Sequence, residues 1–133
     1  MTNTIEAIVD TNYFVAFEQS RPLDMSRVPA TIAISVVTLA ELRLAIFNAS
    51  DMVSQANRLG TLERALKIRS VGIDENVAFQ WAVLRSAARS ESEGRVNDLW
   101  IAATALTLQV PVVTQDTGFL RLEKIGGPKV ILV

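Results

Sequence analysis

The chain has 133 residues, half of them hydrophobic, and a net charge of −1 at pH 7. This length suits one compact domain whose core needs no disulfide or structural metal. The sequence contains no cysteine and no histidine, which excludes disulfides, thiolate metal sites, cysteine nucleophiles and a histidine general base.

The N-terminal segment and the hydropathy of the chain argue against export and membrane insertion. The opening residues, MTNTIEAIVD, carry Glu6 and Asp10 and no basic side chain, unlike a secretory signal peptide. No apolar run approaches the roughly 20 residues that a membrane-spanning helix needs. We therefore expect a soluble, cytoplasmic protein that does not bind membranes.

Short β-branched runs alternate with helical patterns along the whole chain. In chain order, we expect a strand at 5–9, a helix at 11–19, a strand within 30–37, helices at 38–50 and 51–69, a strand at 70–73, helices at 74–92 and 96–109, a strand at 110–114, a turn and short helix at 115–122 and a strand at 129–133. A kink is expected near Gly60, and Asn97 is the expected N-cap of its helix. This alternation predicts a single α/β domain over 1–133 with a mostly parallel central sheet.

Four acidic residues fall at corresponding places in this pattern. Asp10 follows the first strand, Glu41 lies early in the helix after the second, and Asp116 follows the strand at 110–114. Asp98 opens the helix that leads back into that last strand. Such a helix runs antiparallel to its strands, so all four acids are expected at the carboxyl edge of the sheet, where open α/β sheets bind ligands.

Each acid also has a purely structural interpretation. Asp10 could cap the next helix, and Glu41 could form a capping box with Thr38. Asp98 could interact with the helix dipole, and Asp116, in the segment QDTG, could form a turn. Taken one at a time, these interpretations are at least as good as a functional one.

Taken together, the four acids favour a cation site. Like charges held close together raise one another's pKa, and a divalent cation relieves that repulsion. Ligands that are all oxygen select a hard ion, Mg²⁺ or Mn²⁺, rather than zinc. Such an ion activates a bound water and stabilises charge on phosphoryl oxygens, so the chemistry indicated is hydrolysis of a phosphodiester without a histidine.

Four segments in order resemble the PIN-domain family, and most closely its VapC-type toxins of bacterial toxin–antitoxin pairs. They are IVDTN, SVVTLAELRLAI, GRVNDLWIAATAL and PVVTQDTGFLRL, and the likeness runs from about residue 5 to residue 133. The resemblance implies an α/β/α sandwich and a Mg²⁺-dependent endoribonuclease in which Mn²⁺ can substitute. It also implies a homodimer that is neutralised by a cognate antitoxin protein.

The resemblance also assigns roles to particular residues. Asp10, Glu41, Asp98 and Asp116 match the acids of the family, which are catalytic and hold the metal, and Thr114 matches a hydroxyl residue near the site.

Two further positions bear on the site. Asn12 stands where the family has Ser, Thr or Asn, as a supporting residue. Many relatives carry another acid two positions after the one matched by Asp116, and this chain has Gly118 there. Either one ligand is missing, so that a single metal is held firmly, or Gly118 serves the turn by permitting a positive φ.

Three other functions share an acid after the first strand. A phosphoryl-transfer domain of the haloacid-dehalogenase type needs a second aspartate where this chain has Asn12. A response-regulator receiver needs an acidic pair there and a late lysine, for which Lys124 and Lys129 are poorly placed. A catalytically inactive PIN-like module that binds RNA or protein stays open, because sequence shows the acids but not activity.

The basic and aromatic residues are less specific. Most of the 13 Lys and Arg side chains are expected on solvated faces, and an RNA substrate would require that some of them contact phosphates. The sequence does not say which, although some lie in two clusters, one of Arg85, Arg89 and Arg95 and the other of Arg58, Arg64, Lys67 and Arg69. Trp81 and Trp100 are expected in the core rather than as base-stacking platforms.

Overall fold

Five parallel strands form one sheet in the order β3-β2-β1-β4-β5. The computed structural model describes residues 4–88 and 95–133. The strands are β1 (Ala7–Val9), β2 (Ile32–Ser35), β3 (Arg69–Val71), β4 (Val112–Thr114) and β5 (Val130–Leu132). The predicted parallel sheet is confirmed, and each strand is shorter than the apolar run that predicted it.

In the described part of the chain, six helices connect or follow these strands. They are α1 (Thr11–Glu18), α2 (Val36–Phe47), α3 (Met52–Leu66), α4 (Glu75–Ala87), α5 (Val96–Leu108) and α6 (Phe119–Lys124), and a 3₁₀ turn forms at Met25–Arg27. Within the described residues, no helix is both long and apolar enough to cross a membrane.

Alternation along β1 divides the core into two halves. Ala7 and Val9 face a cluster that includes Phe14 of α1 and Leu62 of α3, whereas Ile8 faces one that includes Leu99 of α5. Successive side chains of a strand point to opposite faces, so the three residues of β1 contribute to both clusters. The helices therefore cover both faces of the sheet, which confirms the α/β/α sandwich.

Several helix starts differ from prediction. Helix α2 begins at Val36 with Ser35 as its N-cap, so the capping box between Thr38 and Glu41 is wrong. Ser35 Oγ accepts from the Val37 N–H at 3.1 Å, which starts the helix before Thr38 is reached.

The prediction of Asn97 as an N-cap is also wrong. Arg95 occupies that position without a side-chain hydrogen bond, and Asn97 lies inside the first turn of α5. Helix α4 has an acidic cap, since Asp74 Oδ1 accepts from the Val77 N–H at 3.0 Å. The predicted end of that helix, with Arg89, lies outside the described residues.

Two other expectations concern Gly60 and the tryptophans. Helix α3 begins after its N-cap, Asp51, and continues through Gly60. Trp81 and Trp100 stack with ring centroids 4.9 Å apart and pack, half-buried, against the core, as predicted.

Candidate functional site

Asp10 ends β1 and begins α1. Its Oδ1 accepts from the Tyr13 N–H at 3.2 Å, which confirms it as the N-cap of that helix. Its Oδ2 accepts from the Thr114 hydroxyl at 2.7 Å, across to the end of β4. Only 3% of Asp10 is exposed, so these two donors replace the water that its carboxyl group loses in the folded chain.

Burial dominates the electrostatics of Asp10. Loss of hydration raises its pKa from the ordinary 3.8 to about 7, although the hydrogen bonds from Thr114 and Tyr13 act in the opposite direction. The nearby carboxyl groups of Asp98 and Asp116 raise the pKa further. A carboxyl group with such a pKa is poised between its protonated and charged forms at neutral pH.

Asp98 lies in the first turn of α5, half-buried at the same sheet edge. Burial, followed by the charges of Asp116 and Glu41, raises its pKa to about 6, and Arg95 partly offsets this. These couplings connect Asp98 to Asp116 and Glu41, and Asp10 to Asp98 and Asp116. The structure therefore brings the four acids together, and we call Asp10, Glu41, Asp98 and Asp116 the acidic group.

Glu41 is held from two other helices. The Thr11 hydroxyl at the start of α1 donates to Glu41 Oε1 at 2.5 Å and lies 3.1 Å from Thr38 Oγ1. The Asn97 amide at the start of α5 donates to Glu41 Oε2 at 3.3 Å. Sequence reasoning missed Thr11 and Asn97 as site residues, although each directly follows or precedes a predicted acid.

Asp116 follows β4 in a tight turn. Its N–H donates to Thr114 Oγ1 at 2.8 Å, and the same hydroxyl donates to Asp10. Thr114 is fully buried and thus connects the backbone of one acid to the carboxyl group of another. The structure thus places Thr114 beside two of the four acids, where a hydroxyl residue near the site was expected.

Gly118 completes that turn, but not through a positive φ. Its φ is −57°, an ordinary helical value, so the suggestion of a left-handed glycine is wrong. Its N–H donates to Asp116 Oδ1 at 2.8 Å, and a Cβ at this position would lie only 3.0 Å from that oxygen. Glycine therefore leaves room for the Asp116 carboxylate to fold over its own turn. The prediction of a single firmly held metal stays a prediction.

Asn12, the other supporting residue, is half-buried in the first turn of α1. Its Oδ1 accepts from Arg21 Nη2 at 3.5 Å. Its side chain thus contacts a basic residue rather than a member of the acidic group.

The chemistry of the acidic group fits a hard divalent cation. All its donors are oxygens, and a cation would relieve the mutual repulsion that, after burial, raises the pKa of Asp10 and Asp98. Across residues 4–88 and 95–133, however, no three His, Cys, Asp or Glu side chains are grouped closely enough to hold a metal ion. The carboxylates of Asp10, Glu41 and Asp116 instead accept hydrogen bonds from protein donors, so a metal would bind only after their side chains rotate. The assignment of these residues as metal ligands and catalytic groups stays a prediction.

Comparison with known proteins places this architecture in a family. Residues 7–125 match the PIN domain. The chain is 39% identical over 133 residues to "Ribonuclease VapC5" of Mycobacterium tuberculosis, covering 99% of this chain and 98% of that protein. It is 39% identical over 119 residues to "Ribonuclease VapC4" of the same organism, covering 88% and 91%.

Solved structures agree with the sequence comparison. The crystal structure of VapBC-5, a member of the VapBC family of toxin–antitoxin systems from Mycobacterium tuberculosis, superposes with a TM-score of 0.85 at 39% identity, covering 96% of this chain and 98% of that one. FitAcB from Neisseria gonorrhoeae superposes with a TM-score of 0.69 at 28% identity, covering 94% and 96%. The chain therefore belongs to the PIN-domain family, and its relatives there include VapC ribonucleases.

Proposed function

We propose that this chain is a Mg²⁺-dependent endoribonuclease and the toxin of a type II toxin–antitoxin pair. The observation that carries the proposal is the acidic group, in which burial and mutual repulsion raise the pKa of Asp10 and Asp98. The identity of 39% to a ribonuclease over nearly the whole chain supports RNA as the substrate. Mn²⁺ is expected to substitute for Mg²⁺, since both are hard ions that accept oxygen ligands.

In this proposal Asp10, Glu41, Asp98 and Asp116 would hold the metal. When bound, it would supply an activated water and stabilisation of the negative charge on the phosphoryl oxygens. Hydrogen bonds from the chain orient the carboxylates of the acidic group. Thr114 orients Asp10 from β4, while Thr11 and Asn97 orient Glu41 from α1 and α5.

The proposal predicts RNA cleavage that depends on a divalent ion. Purified protein should cleave total RNA with Mg²⁺ or Mn²⁺, lose this activity in EDTA, and recover it when the metal is added back in excess. Mapping the cleaved ends would identify the RNA and the preferred sequence. An Asp98→Asn preparation made in parallel controls for contaminating nuclease.

Two results would contradict this prediction. Cleavage that survives EDTA would exclude the metal-dependent mechanism. RNA binding without cleavage under either metal would favour the alternative function, a catalytically inactive PIN-like module that binds RNA or protein.

Partners form the second part of the proposal, namely a homodimer and a cognate antitoxin, with the protein in the cytoplasm where RNA is available. The likeness to the VapBC-5 structure supports an antitoxin. Large apolar side chains are also exposed, among them Phe47 and Met52 at the α2–α3 junction, Phe79 on α4 and Val96 on α5. Exposed apolar area of this kind suits protein contacts.

We expect light scattering at micromolar concentration to give the mass of a dimer. Expression in bacteria should slow growth, and Asp98→Asn should abolish that effect because it removes a charge from the acidic group. A monomeric mass would contradict the homodimer. Normal growth with a folded, well-expressed wild type would contradict the toxin.

A further inference from the structure

The loop after α1 lies beside the acidic group, although it contains none of the predicted site residues. Gln115 Nε2 donates to the carbonyl of Pro22 in this loop at 2.7 Å. Gln115 stands between Thr114 and Asp116, so this hydrogen bond ties the loop to the carboxyl end of β4. The loop therefore borders the proposed site.

The backbone of Arg21 is held at a defined place in that loop. Ser20 has a φ of 54°, in the left-handed region, and ends α1 by reversing the chain. The Arg21 N–H donates to the Ala16 carbonyl at 2.8 Å and the Ser20 N–H to the Phe17 carbonyl at 3.2 Å. These two bonds are the pair of a Schellman motif. The carbonyl of the next residue, Pro22, accepts from Gln115. The backbone is therefore held on both sides of Arg21.

The side chain of Arg21 then returns to the start of α1. Its guanidinium contacts the neutral amide of Asn12, two residues after Asp10, and within the described part of the chain it pairs with no carboxylate. Arg95 lowers the pKa of Asp98, whereas Arg21 lowers that of neither Asp98 nor Asp10. The Arg21 guanidinium therefore lies beside the start of α1, at the margin of the acidic group and too far from Asp10 and Asp98 to shift their pKa.

Three other arginines already have structural partners. Arg58 donates to a backbone carbonyl of α2 at 2.5 Å, and Arg85 to one at the end of α4 at 3.0 Å. The Arg64 guanidinium lies 4.7 Å from the centre of the Phe17 ring. Binding an RNA phosphate through these side chains would break existing contacts, whereas Arg21 would give up one long hydrogen bond.

We infer that Arg21 binds an RNA backbone phosphate next to the scissile one and positions the strand over the acidic group. This inference rests on the proposed ribonuclease function and adds a positioning residue to it. RNA needs such a contact because the carboxylates repel its phosphates. A guanidinium suits the contact because its planar fork can donate two parallel hydrogen bonds to a phosphate. Asn12 holds that fork near its bound position.

The test compares Arg21→Ala with Arg69→Ala, which removes the same charge from an exposed residue at the opposite, amino end of β3. Cleavage of a defined single-stranded RNA with Mg²⁺ gives kcat and KM. Fluorescence anisotropy gives the salt dependence of binding, with every variant placed in an Asp98→Asn background so that the RNA stays intact. Thermal melting confirms that each variant is folded.

Arg21→Ala should raise KM by about tenfold, the usual effect of losing one charged hydrogen bond, and leave kcat within about twofold of wild type. The slope of log affinity against log salt should shrink by roughly 0.7, the value for one phosphate contact on a single strand. Arg21→Lys should keep the slope and restore part of KM, and Arg69→Ala should change neither. Asn12→Ala should raise KM in the wild type but not in Arg21→Ala, because it acts through Arg21.

Failures of the inference and of the function can be told apart. If the wild type cleaves RNA but Arg21→Ala keeps its KM and salt slope, or loses kcat alone, the inference is wrong and the ribonuclease stands. If the wild type cleaves no RNA with Mg²⁺ or Mn²⁺, the proposed function fails and the inference falls with it.

Discussion

Asp98→Asn is expected to lower RNA cleavage by at least about a hundredfold, the usual effect of losing charge stabilisation at a transition state. The fold should survive, because the N-cap of α5 is Arg95 and Asp98 is not needed to start the helix. At pH 7 and without metal, the variant should melt at a higher temperature than the wild type. Burial, together with repulsion from Asp116 and Glu41, raises the pKa of Asp98 to about 6, and neither cost falls on the neutral amide.

A matched control is Glu75→Gln, which removes an acid from the first turn of α4. Glu75 contributes to the pKa of neither Asp10 nor Asp98, so cleavage should stay at the wild-type rate. Single-turnover cleavage with saturating Mg²⁺ and melting in EDTA measure the two effects separately. Wild-type cleavage by Asp98→Asn would overturn the site assignment, whereas an unfolded variant would show that Asp98 is structural.

The metal-free protein is expected to lose stability as pH rises from about 4 to about 7. The pKa of Asp10 is raised in the folded state, so over this window the folded chain holds a proton that the unfolded chain has released. The free energy of unfolding therefore falls with rising pH, by on the order of 4 kcal/mol for a shift of this size. Urea denaturation in EDTA at several pH values measures the slope.

Asp10→Asn is the control for that slope, because asparagine still accepts the Tyr13 N–H but cannot titrate. In this variant the free energy of unfolding should fall less as pH rises, and the remaining fall should come from Asp98. Mg²⁺ at 100 times its Kd should stabilise the wild type at pH 7 by about 2.7 kcal/mol, because it binds only the folded state. A flat pH profile in EDTA, together with a melting temperature that Mg²⁺ leaves unchanged, would contradict both the buried charge and the metal site.

Local patterns predicted most of the secondary structure and the edge at which the site lies. The apolar run around β1 marks a buried strand, and Asp10, Asp51 and Asp74 each cap the helix that follows them. Caps and short strands depend on neighbours within a few residues, which a sequence displays directly. Once strands alternate with helices, the parallel topology places the acids that follow strands at one edge.

The helix starts and the conformation of the acidic side chains depended on tertiary contacts instead. Ser35 rather than Thr38 starts α2, which moves Glu41 into the second turn of that helix. There it accepts hydrogen bonds from Thr11, 30 residues away, and from Asn97, 56 residues away. Periodicity predicts which face of a helix is apolar, but not which distant polar groups will meet on the other face.

The charge state of the site was likewise decided by the assembled sheet. Thr114 reaches Asp10 across 104 residues of chain, and burial between the helical layers raises the pKa of Asp10 to about 7. The position of Arg21 beside Asn12 depends on a left-handed Ser20 and on the bond from Gln115 to Pro22. The sequence by itself determined the identity of these groups and their order along the chain. Their burial and partners arose only when distant segments packed together, because desolvation and hydrogen bonding depend on distance in space rather than along the chain.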